Sequence, residues 1–489
     1  MDDDCATYLG QKGYTIYKES LSISEQHFIR EALTVKPYVP KSLGAAESFP
    51  IYQESNTKIY MPRYFGQEHY GIPDDVRIDE GKDINLTFTG VLRDYQQKAV
   101  AAYIKEVNKP GEFGGGGLLE LGCGQGKTVI ALHILSLLKK KTLIVVHKGF
   151  LLDQWKERIA EFLPTAKIGR IQGQIIDIDG KDIVIGMLQS LSMKAYPRDL
   201  FNDFGLTITD EVHHISSEVF SRSLQTIVTK YSLGLSATMQ RKDGLTKVFK
   251  MYLGNVAYKA KRDTTIKVLV KAIKYCVEDT EFNKTELDYR GNIKYSTMIS
   301  KLCKFNRRSE FIINVIKTEL EKKPNQQMII LGHNKNLLVY LYQAIEHRKI
   351  ASVGYYLGGM KDKDLKKSET KKIIVATYAM AAEGLDIKTL TTAVFVTPRT
   401  DITQAEGRIL RTKDTDPMII DILDTHSVFH RQWEKRKKYY MKNKYTIIHT
   451  NNDLYESDQW VTIEKEKKKK AKCFVDTNSI TDWDTNYIV

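Results

Sequence analysis

A glycine-rich turn between an apolar strand and an apolar helix constrains this chain more than any other feature. The turn reads LGCGQGKT from Leu121 to Thr128; it follows the strand-like segment Gly117–Leu121 and precedes the helix-like segment Val129–Leu138. Glycines let backbone N–H groups close around an anion, and the start of a helix adds a favourable dipole. The pattern predicts a phosphate-binding loop in which Lys127 contacts phosphates and Thr128 holds Mg²⁺. The alternative is a glycine-rich turn with a surface lysine.

Strand-like and helix-like segments alternate along two long parts of the chain. The strand-like segments of the first part are Gly117–Leu121, Thr142–Val146, Asp182–Gly186, Leu206–Asp210 and Leu233–Leu235. After a break near Lys261–Thr264, those of the second part are Gln327–Leu331, Ser352–Tyr356, Ile373–Thr377 and Thr392–Thr397. Such alternation predicts an α/β fold with parallel sheets covered by helices. We expect domains at residues 88–260 and 265–445, a small N-terminal accessory domain at 1–87 and a basic tail at 446–489.

A pair of acids, Asp210 and Glu211, follows the apolar strand Leu206–Thr209 and lies 83 residues after Lys127. In open α/β sheets, ligands bind at the carboxyl ends of parallel strands. We therefore expect Asp210 to hold Mg²⁺ and Glu211 to polarise an attacking water. Taken alone, such a pair is equally compatible with ordinary loop polarity. Ser236 and Thr238, after the next strand, could link this site to another surface by hydrogen bonds.

The second α/β part offers cations that the first part lacks. Gln404, Arg408 and Arg411 are spaced by four and three residues, so on a helix they share one face. Two guanidinium groups on one face could stabilise charge on a phosphate, although a surface helix making ion pairs has the same pattern. Gly384 would permit a tight turn, and Asp386 could accept hydrogen bonds from a nucleotide or from Arg408.

The order of these motifs resembles that of helicase superfamily 2, in which two RecA-like domains bind ATP between them. The matching segments are LRDYQ at Leu92–Gln96, GQGKT at Gly124–Thr128 (the Walker A motif), DEVH at Asp210–His213, SAT at Ser236–Thr238, EGLD at Glu383–Asp386 and Gln404–Arg411. The resemblance implies that ATP and Mg²⁺ are the cofactors.

The resemblance also assigns roles residue by residue. It implies nucleotide contacts from Gln96, Gly122, Cys123, Gly124, Gln125, Gly126, Lys127, Thr128, Gly384 and Asp386. It implies that Mg²⁺ is held by Thr128 and Asp210. It implies that catalysis involves Lys127, Asp210, Glu211, Gln404, Arg408 and Arg411. It implies that ATP hydrolysis is coupled to movement through His213, Ser236 and Thr238.

Three details resemble the XPB/UvsW-like branch of the superfamily: LGCG at Leu121–Gly124, QWK at Gln154–Lys156 and the DEVH form of the acidic motif. DEAD-type RNA helicases carry aspartate where this chain has His213. The branch implies an ATP-driven helicase or translocase acting on DNA, in branched-DNA remodelling, repair or transcription. An RNA helicase and an ATP-switched clamp that does not unwind stay as alternatives. Nucleic-acid contacts are expected near Lys148–Gly149, Gln189–Ser190 and Thr377.

The net charge of +14 is distributed unevenly. Residues 1–83 hold nine Lys/Arg and fourteen Asp/Glu, so the other 406 residues carry +19. A basic body fits a polyanionic partner such as nucleic acid, although a solvated lysine-rich surface gives the same balance. The lysine-rich run at residues 464–472 could bind phosphates, act as an import signal or be a solvated helix end.

The acidic N-terminal part is rich in aromatic residues. We expect its aromatics to engage branched or duplex nucleic acid, and the ones expected to do so are Tyr52, Tyr60, Tyr64, Phe65 and Tyr70. The competing interpretation is that its negative charge docks a basic protein.

Five dispersed cysteines without a C-x-x-C pair give no support to a disulfide framework, a zinc site or an iron–sulfur cluster. No apolar run approaches the roughly 20 residues that span a bilayer, and the acidic start lacks the order of a signal peptide. The sequence therefore predicts an intracellular, soluble protein with no membrane partner.

Overall fold

Three sheets of five or more strands follow one another along the chain, in a computed structural model that describes residues 6–38, 47–122, 124–214, 218–239, 243–260, 266–383, 385, 387–409 and 416–463. We call the parts that carry them the N-terminal region, the first lobe and the second lobe. Among the described residues, no helix combines the length and the apolarity needed to cross a membrane.

The N-terminal region is a small mixed sheet with two helices on one face. Its elements are β1 Thr7–Gly10, β2 Gly13–Tyr17, α1 Ile23–Ala32, β3 Thr34–Val35, β4 Phe49–Pro50, β5 Gln53–Glu54, β6 Lys58–Met61, α2 Arg63–Tyr70 and β7 Asp75–Val76. The sheet order is β5-β6-β2-β1-β7, with only β1 and β7 parallel, and β3 pairs with β4 separately. Alternation along β2 and β6 sends Tyr14, Ile16, Ile59 and Met61 into a core beneath the helices.

The N-terminal region is fixed to the first lobe by packing and by a buried arginine. Leu245 and Val248 of the first lobe complete its apolar core. The Arg63 guanidinium, 5% exposed, donates to the carbonyls of Phe113 at 2.6 Å and Lys230 at 3.0 Å. Burying a guanidinium without these acceptors would be costly, so they hold the two parts in one orientation.

The aromatic residues of this region do not form the single surface expected from the sequence. Phe65 is 2% exposed and belongs to the core, so the prediction that it contacts nucleic acid is wrong. Tyr64 points its hydroxyl at Ser232 Oγ of the first lobe, 3.5 Å away. Tyr60 lies on the sheet face opposite to the core, because its strand neighbours Ile59 and Met61 point inwards.

The first lobe is a parallel sheet covered by helices on both faces. Its elements are α3 Asp94–Val107, β8 Gly115–Glu120, α4 Lys127–Leu138, β9 Thr142–Val146, α5 Gly149–Phe162, β10 Ile168–Gln172, β11 Ile175–Asp177, β12 Ile183–Met187, α6 Leu188–Met193, β13 Leu206–Thr209, α7 Glu218–Thr226, β14 Tyr231–Ser236, α8 Thr246–Leu253 and β15 Val256–Lys259. The order is β11-β10-β12-β9-β13-β14-β8-β15, and only the β10–β11 pair is antiparallel. Strands such as β9, TLIVV, are buried at every position, as expected for a sheet covered on both faces.

The second lobe repeats this architecture. Its elements are β16 Leu269–Tyr275, α9 Thr280–Asn283, α10 Tyr295–Lys304, α11 Asn306–Lys322, β17 Gln327–Gly332, α12 Lys335–His347, β18 Val353–Tyr356, α13 Asp362–Glu369, β19 Ile373–Thr377, α14 Tyr378–Glu383, β20 Leu390–Phe395, α15 Thr403–Glu406, β21 Met418–Asp424, α16 Ser427–Lys442, β22 Thr446–Asn451, α17 Asn452–Tyr455 and β23 Val461–Thr462. The order is β18-β19-β17-β20-β21-β16-β22-β23, parallel except for β22–β23. The predicted α/β fold with two parallel sheets is confirmed. The second sheet continues through β22 and β23, beyond the domain end expected at residue 445.

Candidate functional site

Three neighbouring strands of the first lobe end at the predicted site. The sheet order places β13 beside β14 and β14 beside β8. Their carboxyl ends carry the Asp210–Glu211 pair, Ser236 and the glycine-rich loop. Segments separated by more than 80 residues of sequence therefore meet at one sheet edge, where ligands of such sheets bind.

The glycine-rich loop has the backbone shape that an anion cradle needs. Gly124 and Gly126 both have φ of +76°, in the left-handed region that favours glycine. A Cβ on Gly126 would lie 2.3 Å from Gln96 Nε2, so a side chain there would displace the Gln96 amide. Gly122 N donates to Gln125 Oε1 at 2.5 Å, which closes the turn. Helix α4 begins at Lys127, so its first N–H groups face the loop; Cys123 lies outside the described residues.

Lys127 and Glu211 form an ion pair across the site. Lys127 Nζ lies 2.5 Å from Glu211 Oε1, and the two side chains are 14% and 18% exposed. Glu211 has φ of +48°, an uncommon conformation for a residue with a Cβ. Such backbone strain persists where the surroundings impose it, which is frequent at functional sites. Thr128, half-buried, is the second residue of α4.

Asp210 is buried and held by two donors. Trp155 Nε1 donates to Asp210 Oδ2 at 3.0 Å, and Glu211 N donates to Asp210 Oδ1 at 2.9 Å. Burial and the Glu211 carboxylate raise the pKa of Asp210 above its usual value. Burial alone would also raise the pKa of Glu211, but the charges of Lys127, His213 and Arg408 lower it. The paired acids thus sit in environments that push their pKa values apart.

A short series of polar contacts leads away from the acid pair. His213 Nδ1 lies 3.4 Å from Glu211 Oε2 and 3.0 Å from Ser236 Oγ. Ser236 Oγ donates to the Thr238 carbonyl at 2.8 Å and accepts from Thr238 N at 3.2 Å. The three residues predicted to couple hydrolysis to movement therefore form a continuous path that starts at Glu211.

Gln96 contacts the loop in a way the sequence did not reveal. Its Nε2 donates to the Gln125 carbonyl at 3.2 Å, and its Oε1 accepts from Arg93 N at 2.9 Å. The Tyr95 hydroxyl donates to the same Gln125 carbonyl at 3.2 Å. The amide of Gln96 therefore supports the glycine-rich loop from the side of α3.

The second lobe presents Arg408 to this edge. Arg408 Nη1 donates to the Leu385 carbonyl at 2.7 Å, and its charge is close enough to lower the pKa of Glu211. The expectation of one helix face through Gln404, Arg408 and Arg411 is wrong for Arg408, because α15 ends at Glu406 and Gly407 follows. A loop contact to Leu385, not helical spacing, orients Arg408.

Several predicted residues of the second lobe lie outside the described part of the chain, namely Arg411, Gly384 and Asp386. Gln404 is described only as backbone within α15. Their predicted contacts stay predictions.

The segments expected to touch nucleic acid lie at the carboxyl ends of parallel strands in both lobes. In the first lobe, Gln189 and Ser190 lie in helix α6 and not in a loop, and Gln189 Nε2 donates to the His147 carbonyl at 2.7 Å, which ties α6 to the segment that carries Lys148. Burial lowers the pKa of the Lys148 ammonium. In the second lobe, Thr377 ends β19 and its Oγ1 accepts from Met380 N at 3.4 Å.

Sequence reasoning missed the Trp155–Asp210 contact. Trp155 is 1% exposed and belongs to the apolar face of α5, where the helical repeat alone predicts a core residue. The signal that could have found it is the polar edge of indole, because a buried indole N–H needs an acceptor.

Comparisons with known proteins show that the chain is similar to helicases and translocases. Residues 89–241 match the family described as type III restriction enzyme, res subunit. A protein of Acanthamoeba polyphaga mimivirus, provisionally named an ATP-dependent RNA helicase, is 36% identical over 461 residues, which cover 91% of this chain and 87% of the relative. The DNA 3'-5' translocase XPB2 of Sulfurisphaera tokodaii is 27% identical over 420 residues, or 77% of this chain and 92% of the relative.

A solved structure supports the fold alone. The S. cerevisiae protein Dbp5, solved bound to RNA and ADP BeF3, aligns with a TM-score of 0.52 and 13% identity. The alignment covers 75% of this chain and 91% of that chain.

Proposed function

The chain belongs to superfamily 2 of the helicases, which use ATP, and from this premise we propose that it is a DNA-directed motor. In this proposal, ATP hydrolysis at the edge of the first lobe drives movement along the phosphate backbone. The observation that carries it is the Lys127–Glu211 ion pair at the carboxyl edge of the first sheet, with Arg408 of the second lobe near enough for its charge to lower the pKa of Glu211.

The ion pair of Lys127 with Glu211 gives the site a resting arrangement. Lys127 would transfer from Glu211 to the β- and γ-phosphates when ATP binds, which places an ammonium where phosphate charge is greatest. Glu211, released from the lysine, would then accept a proton from the attacking water. Because both side chains are partly exposed, Lys127 can leave Glu211 for the phosphates and Glu211 can reach a water molecule without unfolding of the lobe.

The residues at the loop fit a magnesium ion. Thr128 supplies a hydroxyl and Asp210 a carboxylate, and oxygen donors of this type are those that Mg²⁺ prefers. Held by these two residues, Mg²⁺ would neutralise charge on the phosphates. Trp155 would keep the Asp210 carboxylate in place, since it occupies one of its oxygens.

Arg408 makes hydrolysis dependent on the position of the second lobe. A guanidinium that stabilises charge on the transferred phosphoryl group is the largest single contribution to many such reactions. Since Arg408 lies on the other lobe, we expect fast turnover only when the lobes approach. The Lys366–Glu157 ion pair at 2.6 Å is a further contact between the lobes.

DNA is the proposed track because three sequence details resemble those of the XPB/UvsW-like branch. One of them is the QWK segment at Gln154–Lys156, in which Trp155 has a physical role because it donates to Asp210. The archaeal relative is named a DNA translocase, whereas the viral relative is named for RNA. RNA is therefore the second candidate, and it is favoured by the relative of higher identity. Phosphate contacts near Lys148 and Gln189 would make the binding of DNA or RNA salt-sensitive and weakly sequence-specific.

Steady-state ATP turnover tests the proposal. The reactions contain no polymer, single-stranded DNA, duplex DNA, forked DNA or single-stranded RNA, each with a Lys127→Ala control. We expect strong stimulation by DNA that the control loses. Stimulation by RNA alone would replace DNA with RNA as the track. Hydrolysis with no response to any polymer would contradict the motor and favour an ATP-switched clamp.

Strand displacement separates a helicase from a translocase that does not unwind. A forked substrate with a fluorophore and a quencher reports separation, and displacement of a bound protein from duplex DNA reports movement. We expect both signals to require ATP and an intact Lys127.

A further inference from the structure

A cavity of about 300 Å³ lies where the open face of the N-terminal sheet meets the first lobe. From the N-terminal region it is lined by Tyr8, Lys12, Tyr60 and Arg77, and from the first lobe by Tyr196 and Gln225, among others. It lies apart from the residues of the ATP site, and its volume is at the lower limit of small-ligand sites.

The charge of the cavity is opposite to that of its surroundings. Residues 1–83 carry five more acidic than basic side chains. Among the described residues that line the cavity, the charged ones are Lys12 and Arg77, and Arg77 Nε is paired with Asp75 Oδ2, outside the lining, at 2.6 Å. The Lys12 ammonium therefore supplies most of the positive charge that favours an anionic ligand over a cationic one.

Aromatic rings lie beside these cations. Lys12 Nζ is 4.4 Å from the centre of the Tyr60 ring, and the Arg77 guanidinium carbon is 4.1 Å from that of Tyr8. Tyr196 adds a third ring from the opposite wall. Tyrosine rings interleaved with cations are the usual means of holding a base and its phosphate together.

Amide side chains complete the lining across the junction. Gln53 Nε2 donates to Gln225 Oε1 at 3.0 Å, so one amide comes from each part of the molecule. Amide groups pair with the polar edges of bases, which offer both donors and acceptors. The cavity thus offers ring stacking, hydrogen bonding and positive charge, which match the three parts of a nucleotide.

The cavity is connected to the segments proposed to hold nucleic acid. The Tyr196 hydroxyl donates to the Ser190 carbonyl at 3.2 Å, and Ser190 belongs to helix α6, which Gln189 ties to the segment that carries Lys148. Arg63 fixes the N-terminal region to the first lobe, so the distance between the cavity and α6 is set by the fold.

We propose that this cavity binds one nucleotide of a DNA strand held by the first lobe, an inference that rests on the proposed motor function. A free mononucleotide shares the chemistry of base and phosphate and is the other source to be distinguished. In this account the N-terminal region grips the strand beside the motor, so the strand stays attached while the lobes open and close.

Equilibrium binding of labelled strands by the full-length chain tests the proposal. The variant is Lys12→Ala combined with Tyr60→Ala, and its matched control is Lys36→Ala combined with Tyr38→Ala. Lys36 and Tyr38 are exposed residues of the same region that do not line the cavity. We expect the variant to bind single-stranded DNA about tenfold more weakly and the control to bind as wild type.

Three readouts separate a binding role from a structural one. Loss of the Lys12 phosphate contact should lower the slope of log affinity against log salt by about one, which misfolding would not do. Tyr60→Phe keeps the ring and should keep most of the affinity. ATP turnover at saturating DNA should stay within about twofold of wild type for every variant, since none touches the ATP site.

Photo-cross-linking identifies the source of the nucleotide. A strand carrying 5-iodouracil should form adducts with the tyrosines of the cavity, and millimolar thymidine monophosphate should not displace it. Displacement by the mononucleotide would overturn the strand as occupant. If wild type responds to DNA but the double variant binds equally well, the cavity proposal fails alone. If the wild-type protein binds no strand and its ATP turnover responds to none, both proposals fail.

Discussion

Buried charge takes different forms in the two lobes. At the edge of the first sheet, Lys127 and Glu211 are paired but each side chain stays partly exposed, at 14% and 18%. In the second lobe, Arg308 pairs with Asp424 and both are fully buried. The Arg308–Asp424 pair is closed on all sides, whereas the Lys127–Glu211 pair has an open side from which a ligand can replace a partner.

The geometry of the closed pairs explains their role. Arg308 on α11 contacts Asp424 through Nε at 2.6 Å and Nη2 at 2.8 Å. Arg436 on α16 contacts Asp421 in the same two-pronged way, at 2.8 and 2.9 Å. Since Asp421 and Asp424 lie an odd number of positions apart on β21, they face opposite sides of the sheet and anchor one helix on each. The two enclosed, bidentate pairs anchor helices to the sheet. The partly exposed Lys127–Glu211 pair can exchange a partner for a ligand.

The largest expected effect comes from the open pair. Glu211→Gln keeps the shape of the side chain but removes its basicity, so we expect ATP turnover at saturating DNA to fall by about 10² to 10⁴. ATP affinity, measured by titration with a fluorescent analogue, should change by no more than about threefold. A loss of stability as large as that of an Arg308 variant would contradict the comparison.

The closed pair should respond in the opposite way. Arg308→Met leaves the Asp424 carboxylate buried without its partner, so we expect the free energy of unfolding to fall by about 3–5 kcal/mol. Denaturant unfolding followed by circular dichroism measures this. Adding Asp424→Leu should recover most of the loss, because the unpaired charge is then removed. A single variant within about 1 kcal/mol of wild type would show that the pair is not what anchors α11.

The Trp155–Asp210 contact is buried and also lies at the ATP site. Its loss should therefore lower both stability and ATP turnover, each by an intermediate amount. Trp155→Phe keeps an aromatic ring but leaves one carboxylate oxygen without its donor, which costs about 1–3 kcal/mol in such sites. We expect about tenfold slower ATP turnover together with this loss of stability. Ile159→Val, on the same buried face of α5, is the control and should lower stability without slowing turnover. Equal turnover in both variants would mean that the indole only fills space.

The smallest effect is expected where charge is exposed. Lys366 and Glu157 pair across the lobes at 2.6 Å, but their side chains are 67% and 60% exposed. A double-mutant cycle with alanine at each position should give a coupling free energy below about 1 kcal/mol. A larger coupling would show that this pair contributes substantially to holding the lobes together.

The positions of the site residues along the fold could be predicted from the sequence because two local signals coincide. Apolar segments predict the strands, and polar or glycine-rich residues directly after them mark the strand ends. Thr142–Val146 and Ile373–Thr377 form strands with the predicted bounds. Since parallel strands share an edge, the glycine-rich loop and the acid pair could be expected to meet, as the Lys127–Glu211 ion pair shows.

The remaining features depend on contacts between distant segments, which leave no periodic signal. Apolar periodicity predicts that Trp155 is buried but not that its N–H reaches Asp210. The spacing of Gln404, Arg408 and Arg411 predicts a helix face, yet α15 ends before Arg408 and a carbonyl of another loop orients it. In the N-terminal region, aromatic content alone does not separate the buried Phe65 from Tyr60 on the open face.

The most direct test of the central claim is ATP binding and turnover by Arg408→Ala in the presence of saturating DNA. If the second lobe completes the site, turnover should fall by about 10³ while ATP affinity stays within about threefold, because the arginine acts on charge that develops during hydrolysis. Arg408→Lys should recover little, since an ammonium cannot reproduce the planar contact. Turnover that is unchanged, or that falls only in proportion to ATP affinity, would contradict the claim that the two lobes share one catalytic site.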